Sequence, residues 1–111
     1  MAEETPIEID VHDTQRLLNA EEIVLLDCRE DEEYETASIA GSKLVPMSRW
    51  NEASETLESM KGSRIVVHCH HGMRSLRVAN WLRENGFPDA QSMAGGIAAW
   101  SSEVDSSVPN Y

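Results

Sequence analysis

Cys69, His70, His71, Gly72, Met73, Arg74 and Ser75 form an unbroken run in which a thiol is followed closely by a glycine and then by a guanidinium. The run lies between an apolar stretch ending at His68 and a helical pattern starting near Ser75. A cysteine in such a place faces the positive end of the helix, the unpaired amides of a tight loop, and Arg74, and each favours thiolate over thiol. Gly72 permits the positive φ that turns successive amides inward. The expected result is an anion cradle built from His70, His71, Gly72, Met73, Arg74 and Ser75 around one nucleophilic sulfur. A cysteine that only packs would need neither Gly72 nor Arg74. The histidines invite a metal reading, but four adjacent ligands, His68 to His71, cannot converge on one ion, and the chain offers no second cluster. No metal is expected. His68 reads as a strand-end residue hydrogen-bonded in the sheet, and His70 and His71 as residues at the mouth of the loop.

The elements that must position this loop are legible around it. Ile23 to Leu26 is a continuous apolar run, and Arg64 to His68 a second segment with an apolar centre, of the kind that strands buried on both faces carry. Ile7, Ile9 and Val11 alternate with polar residues as a first short strand, and Asp13-Thr14 opens a helix carrying Leu17 and Leu18. Glu30 to Glu35 is a short acidic helical turn. Lys43 to Val45 reads as an edge strand, and Ser48 caps a helix reaching Met60. Leu76 and Leu82, with Ala79 or Trp81, give the helix after the loop its apolar face, and Asn85, Gly86 and Pro88 stop it. A last strand near Ala90 to Met93 precedes Gly95-Gly96 and a helical turn to Trp100. Strands alternating with helices at this spacing predict an α/β fold with a mainly parallel sheet, whose ligands bind beyond the carboxyl ends of the strands.

The chain has 111 residues, with 41% hydrophobic and 26% charged, which suits one folded domain. We expect it to occupy residues 5–100, with 101–111 a polar, flexible tail. The net charge of -11 is unevenly placed: residues 1–60 carry 16 acids against 4 bases, and residues 61–111 carry 4 against 5. This balance speaks against nucleic acid and anionic membrane as partners. The acidic half reads as solvated surface, with a basic protein partner as the alternative. No apolar run approaches the roughly 20 residues of a membrane span. The acidic start Met1-Ala2-Glu3-Glu4 is unlike a secretory leader, and two cysteines suit a reducing compartment, so a cytoplasmic protein is expected.

Cys69, Gly72, Arg74 and Ser75 resemble, position by position, the C-x-x-G-x-R-S loop of the single-domain rhodanese-like sulfurtransferases. Asp27-Cys28-Arg29 with Glu33-Tyr34 is similar to the D-x-R and E-[YF] of that family, and Gly95-Gly96-Ile97-Ala98-Ala99-Trp100 to its closing G-G-x-x-x-W. The chain departs from the family at Ala37-Ser38-Ile39, where Gly-His-Ile is usual, and at Cys28, where the residue is usually apolar. The resemblance implies a three-layer sandwich with a central five-stranded, mainly parallel sheet flanked by helices. It implies a Cys69 persulfide that takes sulfane sulfur from an anionic donor such as thiosulfate and passes it to cyanide, a thiol or an acceptor protein, with Arg74 holding the donor and no cofactor. The alternative is a rhodanese-like module that docks or regulates without catalysis.

Four residues separate Cys69 from Arg74. The related phosphatases have one more there, which makes room for phosphate, so sulfur chemistry is the expectation. Cys28 stands at the end of a strand that the family topology places beside the one ending at Cys69. Two readings follow: a buried packing residue, or a resolving thiol. Asp27, Arg29 and Glu33 are read as a network bracing the sheet end, and Trp50, Trp81 and Trp100 as core or pocket wall.

Overall fold

The two apolar runs become adjacent strands in the middle of the sheet. In the computed structural model, which describes residues 5–111, β1 (Glu8–Ile9), β2 (Val24–Asp27), β3 (Lys43–Leu44), β4 (Ile65–His68) and β5 (Gln91–Met93) pair in the order β1-β5-β4-β2-β3. All four pairings are parallel. Helices α1 (Val11–Asn19), α2 (Asp31–Thr36), α3 (Ser54–Ser59), α4 (Met73–Glu84) and α5 (Gly96–Glu103) lie between and after the strands. The acidic start Met1 to Glu4 lies outside the described residues.

Side chains alternate along each strand, so consecutive apolar residues serve opposite faces. Leu26, Val67, Cys28 and Cys69 join Val78 and Leu82 of α4 in one core cluster. Leu25, Val66 and Met93 join Ile97 and Trp100 of α5 in the other. A leucine buried as fully as Leu25 or Leu26 contributes about 1.5–3 kcal/mol. This two-sided demand is why β2 and β4 are written as continuous apolar runs.

Several elements differ from the sequence reading. Val11 is the first residue of α1 rather than the end of a strand, because the Asp10 carboxylate accepts from the Asp13 amide at 2.7 Å and caps the helix. The single helix expected from Ser48 to Met60 is a 3-10 segment (Met47–Glu52) and the separate α3, with Arg49 non-helical at φ -115°. Gly72, not Ser75, sets the start of α4.

The segment 101–111 also differs from the flexible tail expected. Helix α5 continues to Glu103, Ser101 Oγ donates to Val108 O at 2.6 Å, and Val108 is buried in the cluster beneath Trp100. One apolar side chain at the right place outweighs the polar composition around it.

Candidate active site

The strand β4 ends at His68 and delivers Cys69 to the carboxyl edge of the sheet, where the chain turns into α4. Gly72 holds φ +106° at this turn. Its amide donates to Cys69 Sγ at 3.1 Å, and the Ser75 amide follows at 3.4 Å. Ser75 Oγ also lies 3.4 Å from Sγ, and 2.7 Å from Ser92 Oγ on β5. The cradle is therefore narrower than the sequence suggested. Gly72 and Ser75 supply the hydrogen bonds to sulfur, while Met73 points its side chain to solvent at 74% exposure.

The loop is held from behind by α5. Ile97 N donates to Cys69 O at 2.8 Å, and Ala98 N to His70 O at 3.1 Å. With these carbonyls turned toward α5, the loop is fixed with its amides toward the sulfur. A Cβ on Gly96 would lie 2.4 Å from His70 O and 2.5 Å from Cys69 O, so the approach requires glycine.

The thiol is buried, yet its surroundings favour the thiolate. Its titration is lowered to about 4, most strongly by the Cys28 thiol alongside; burial opposes this, and the Ser75 hydroxyl and the Ser75 and Gly72 amides add to it. Cys28 is pushed in the other direction by the Cys69 sulfur and by its own burial. Both cysteines are free.

Arg74 is ion-paired, although residues 61–100 hold few acids. Glu33 of α2 comes from elsewhere in the chain and takes Arg74 bidentately, Nη1 to Oε1 at 2.7 Å and Nη2 to Oε2 at 2.8 Å. The guanidinium beside it holds the Glu33 carboxyl at about 2. Each contacting nitrogen spends one proton on Glu33, and the remaining N–H groups can serve an anion.

The network at the end of β2 is present. Arg29 pairs with Asp27 through Nε to Oδ1 at 2.9 Å and Nη2 to Oδ2 at 2.6 Å, and both side chains are wholly buried. Arg29 also donates to Ala37 O and to Tyr111 Oη. Tyr111, absent from the sequence reading of the site, donates to Glu33 Oε2 at 2.8 Å and stacks on His70 with ring centroids 4.0 Å apart. His70 in turn stacks on the exposed His71. His68 ends β4 and is hydrogen-bonded in the sheet as read, its carbonyl accepting from Cys28 N at 3.1 Å, while its buried ring has no hydrogen-bond partner for either nitrogen, Asp27 Oδ2 being 3.7 Å away. Burial lowers its pKa and keeps the ring neutral. Trp50 and Trp81 meet edge to face and, with Met47, Arg77 and Val78, line a cavity of about 240 Å³. Trp100 is core.

A cysteine sulfur under directed amides at the edge of a five-stranded parallel sheet defines the class. Residues 10–103 match the rhodanese-like domain family, and the chain belongs to it. Thiosulfate sulfurtransferase GlpE of Pseudoalteromonas translucida is 35% identical over 100 residues, covering 90% of this chain and 93% of that protein. The chloroplastic rhodanese-like/PpiC domain-containing protein 12 of Arabidopsis thaliana is 38% identical over 93 residues, which cover 82% of this chain but only 31% of that longer protein. Among solved structures, a rhodanese-related protein from Thermoplasma volcanium superposes with a TM-score of 0.78 at 30% identity, covering 89% of this chain and 94% of that one.

Proposed function

We propose that this protein is a sulfurtransferase that moves sulfane sulfur from a thiosulfate-like donor to cyanide or a thiol through a persulfide on Cys69. The observation that carries the reading is the Cys69 sulfur seated beneath the Gly72 and Ser75 amides, an arrangement that favours thiolate. The thiosulfate sulfurtransferase name of a relative covering nine-tenths of the chain supports it.

The Cys69 thiolate attacks the outer sulfur of thiosulfate and sulfite departs, leaving Cys69–S–S⁻. Cyanide then attacks the outer sulfur, thiocyanate forms, and the thiolate returns. Every species on Cys69 is anionic, so fixed amides stabilise each without reorganisation and the transfer calls for no cofactor. Arg74, held by Glu33 and only partly exposed, offers its free N–H groups to the donor's sulfonate. His70, His71 and Met73 shape the mouth, where an acceptor protein carrying a thiol can approach. Cys28 and Cys69, both free, suit a reducing cytoplasm.

Intact-mass analysis after thiosulfate treatment tests the reading. The protein should gain one sulfur atom at Cys69 and lose it to cyanide as thiocyanate, and Cys69→Ser should abolish both steps. Thiocyanate production persisting in Cys69→Ser would sink the proposal. Cys69-dependent turnover of an aryl phosphate faster than that of thiosulfate would replace sulfur chemistry with phosphate chemistry, and a folded protein that does neither would be a binding module.

A further inference from the structure

Cys28 is the residue whose surroundings exceed a packing role. It follows Asp27, which pairs in register with His68, and its amide donates to His68 O at 3.1 Å. Cys28 and Cys69 are thus the next residues along two neighbouring parallel strands. Both side chains enter the same core cluster, on the same face of the sheet. Adjacent strands lie about 4.7–4.9 Å apart, within the roughly 4.4–6.8 Å that a disulfide spans between Cα atoms. The mutual influence of the two sulfurs on each other's ionisation agrees with this proximity.

We propose that Cys28 is a resolving thiol, which discharges the Cys69 persulfide as sulfide and closes a Cys28–Cys69 disulfide. The proposal rests on the persulfide reading above. Cys28–S–H and Cys69–S–S⁻ give Cys28–S–S–Cys69 and HS⁻. The bond between Cys69 Sγ and the added sulfur breaks, a bond between the two cysteine sulfurs forms, and the Cys28 proton leaves on the sulfide. Cys28 is oxidised and the sulfane sulfur reduced, so the step needs no outside oxidant. A dithiol reductant then restores both thiols.

The directions of approach suit the displacement. Gly72 and Ser75 donate to Sγ from the loop, whereas Cys28 lies beside it at the end of the neighbouring strand, on the same face of the sheet. An added sulfur extends toward the loop and its mouth, leaving Cys28 behind the bond that breaks, as thiol–disulfide exchange requires. The timing follows from charge. Beside a bare Cys69 thiolate, Cys28 is held protonated and inert; loading moves the negative charge one bond outward and relaxes that hold. An external acceptor at the mouth still competes with this slower internal attack. Discharge therefore belongs to the acceptor-starved enzyme, and its product suits a sulfide-consuming reaction.

The test loads the full protein with thiosulfate, removes the donor, and follows intact mass and sulfide without acceptor. The species one sulfur heavier should give way to one two hydrogens lighter than the reduced protein, with one sulfide released per chain and a peptide joining Cys28 to Cys69. Cys28→Ala and Cys28→Val, the second refilling the volume lost in the first, should keep the added sulfur and lose sulfide release completely. Wild type retaining its sulfur as long as these variants would overturn the proposal. If thiosulfate adds no mass, the donor reading fails alone; inorganic polysulfide then supplies the sulfur, and sulfide release without the Cys28–Cys69 link overturns the resolving role.

Discussion

The ends of β2 and β4 carry the same residue type at the same depth, yet before any sulfur is loaded the titration of one thiol is lowered and that of the other raised. Cys28 is 0% exposed and Cys69 1%. Each follows a buried polar residue, Asp27 or His68. The difference lies in what the chain does next. After Cys69 it turns at Gly72 and aims amides back at the sulfur. After Cys28 it places Arg29, whose donors go to Asp27, Ala37 and Tyr111 rather than to the thiol. The contact between the two sulfurs acts on both, and the amides aimed at Cys69 favour charge there rather than on Cys28.

The largest expected effect breaks the β2 end. Arg29→Met removes one partner of a wholly buried ion pair and strands the Asp27 carboxylate, a loss of about 3–5 kcal/mol. Chemical denaturation should show a much lower midpoint for Arg29→Met than for Cys69→Ser, which loses chemistry and keeps the brace. Equal midpoints would erase the division between a bracing end and a reactive end.

A smaller effect is expected at Arg74. Arg74→Ala should weaken kcat/KM for thiosulfate by about 1.5–3 kcal/mol, the scale of a hydrogen bond to a charged group. Since Glu33 loses its partner too, Glu33→Gln provides the control: it frees Arg74 and should not produce the same loss. Unchanged kinetics in a folded Arg74→Ala protein would assign the guanidinium to Glu33 alone.

The smallest effect sharpens the cradle itself. Alkylation of Cys69 should keep its rate as pH falls through neutrality and decline around pH 4, where the thiolate takes up a proton. The sign for stability is the same. A titration lowered on folding contributes stability that is complete above the ordinary thiol range and is lost as pH falls through about 4. Ser92→Ala removes one partner of the Ser75 hydroxyl and leaves Gly72 O, and the alkylation midpoint should move upward by less than the shift caused by removing the Ser75 hydroxyl in Ser75→Ala. An unmoved midpoint would confine the role of Ser92 to packing.

The reactive end was far more legible in the sequence than its supports. Cys69, Gly72, Arg74 and Ser75 lie within one turn of chain, so their spacing states their geometry. The strands β2 and β4 announced themselves because burial on two faces selects consecutive apolar residues, the polar Asp27 and His68 coming only at their ends. Glu33 is 41 residues from Arg74, and counting nearby charges could not find it; its place in the Glu33-Tyr34 motif was the available signal. Ser92 carries no mark in a strand of mixed polarity, and Val11 continued an alternating pattern until Asp10 capped a helix there. The same locality hid Tyr111, whose partners Arg29, Glu33 and His70 all come from much earlier in the chain.

The contact between α5 and the loop has a consequence for how the protein comes into being. Cys69 and its amides are synthesised well before Gly96, but Ile97 and Ala98 must dock before the Cys69 and His70 carbonyls are held. Such distant pairing is paid late in folding, after the loop-closure entropy of the intervening chain. The back of the reactive loop is therefore closed only by the last helix, and its two carbonyls find their partners once the chain through Ala98 has docked.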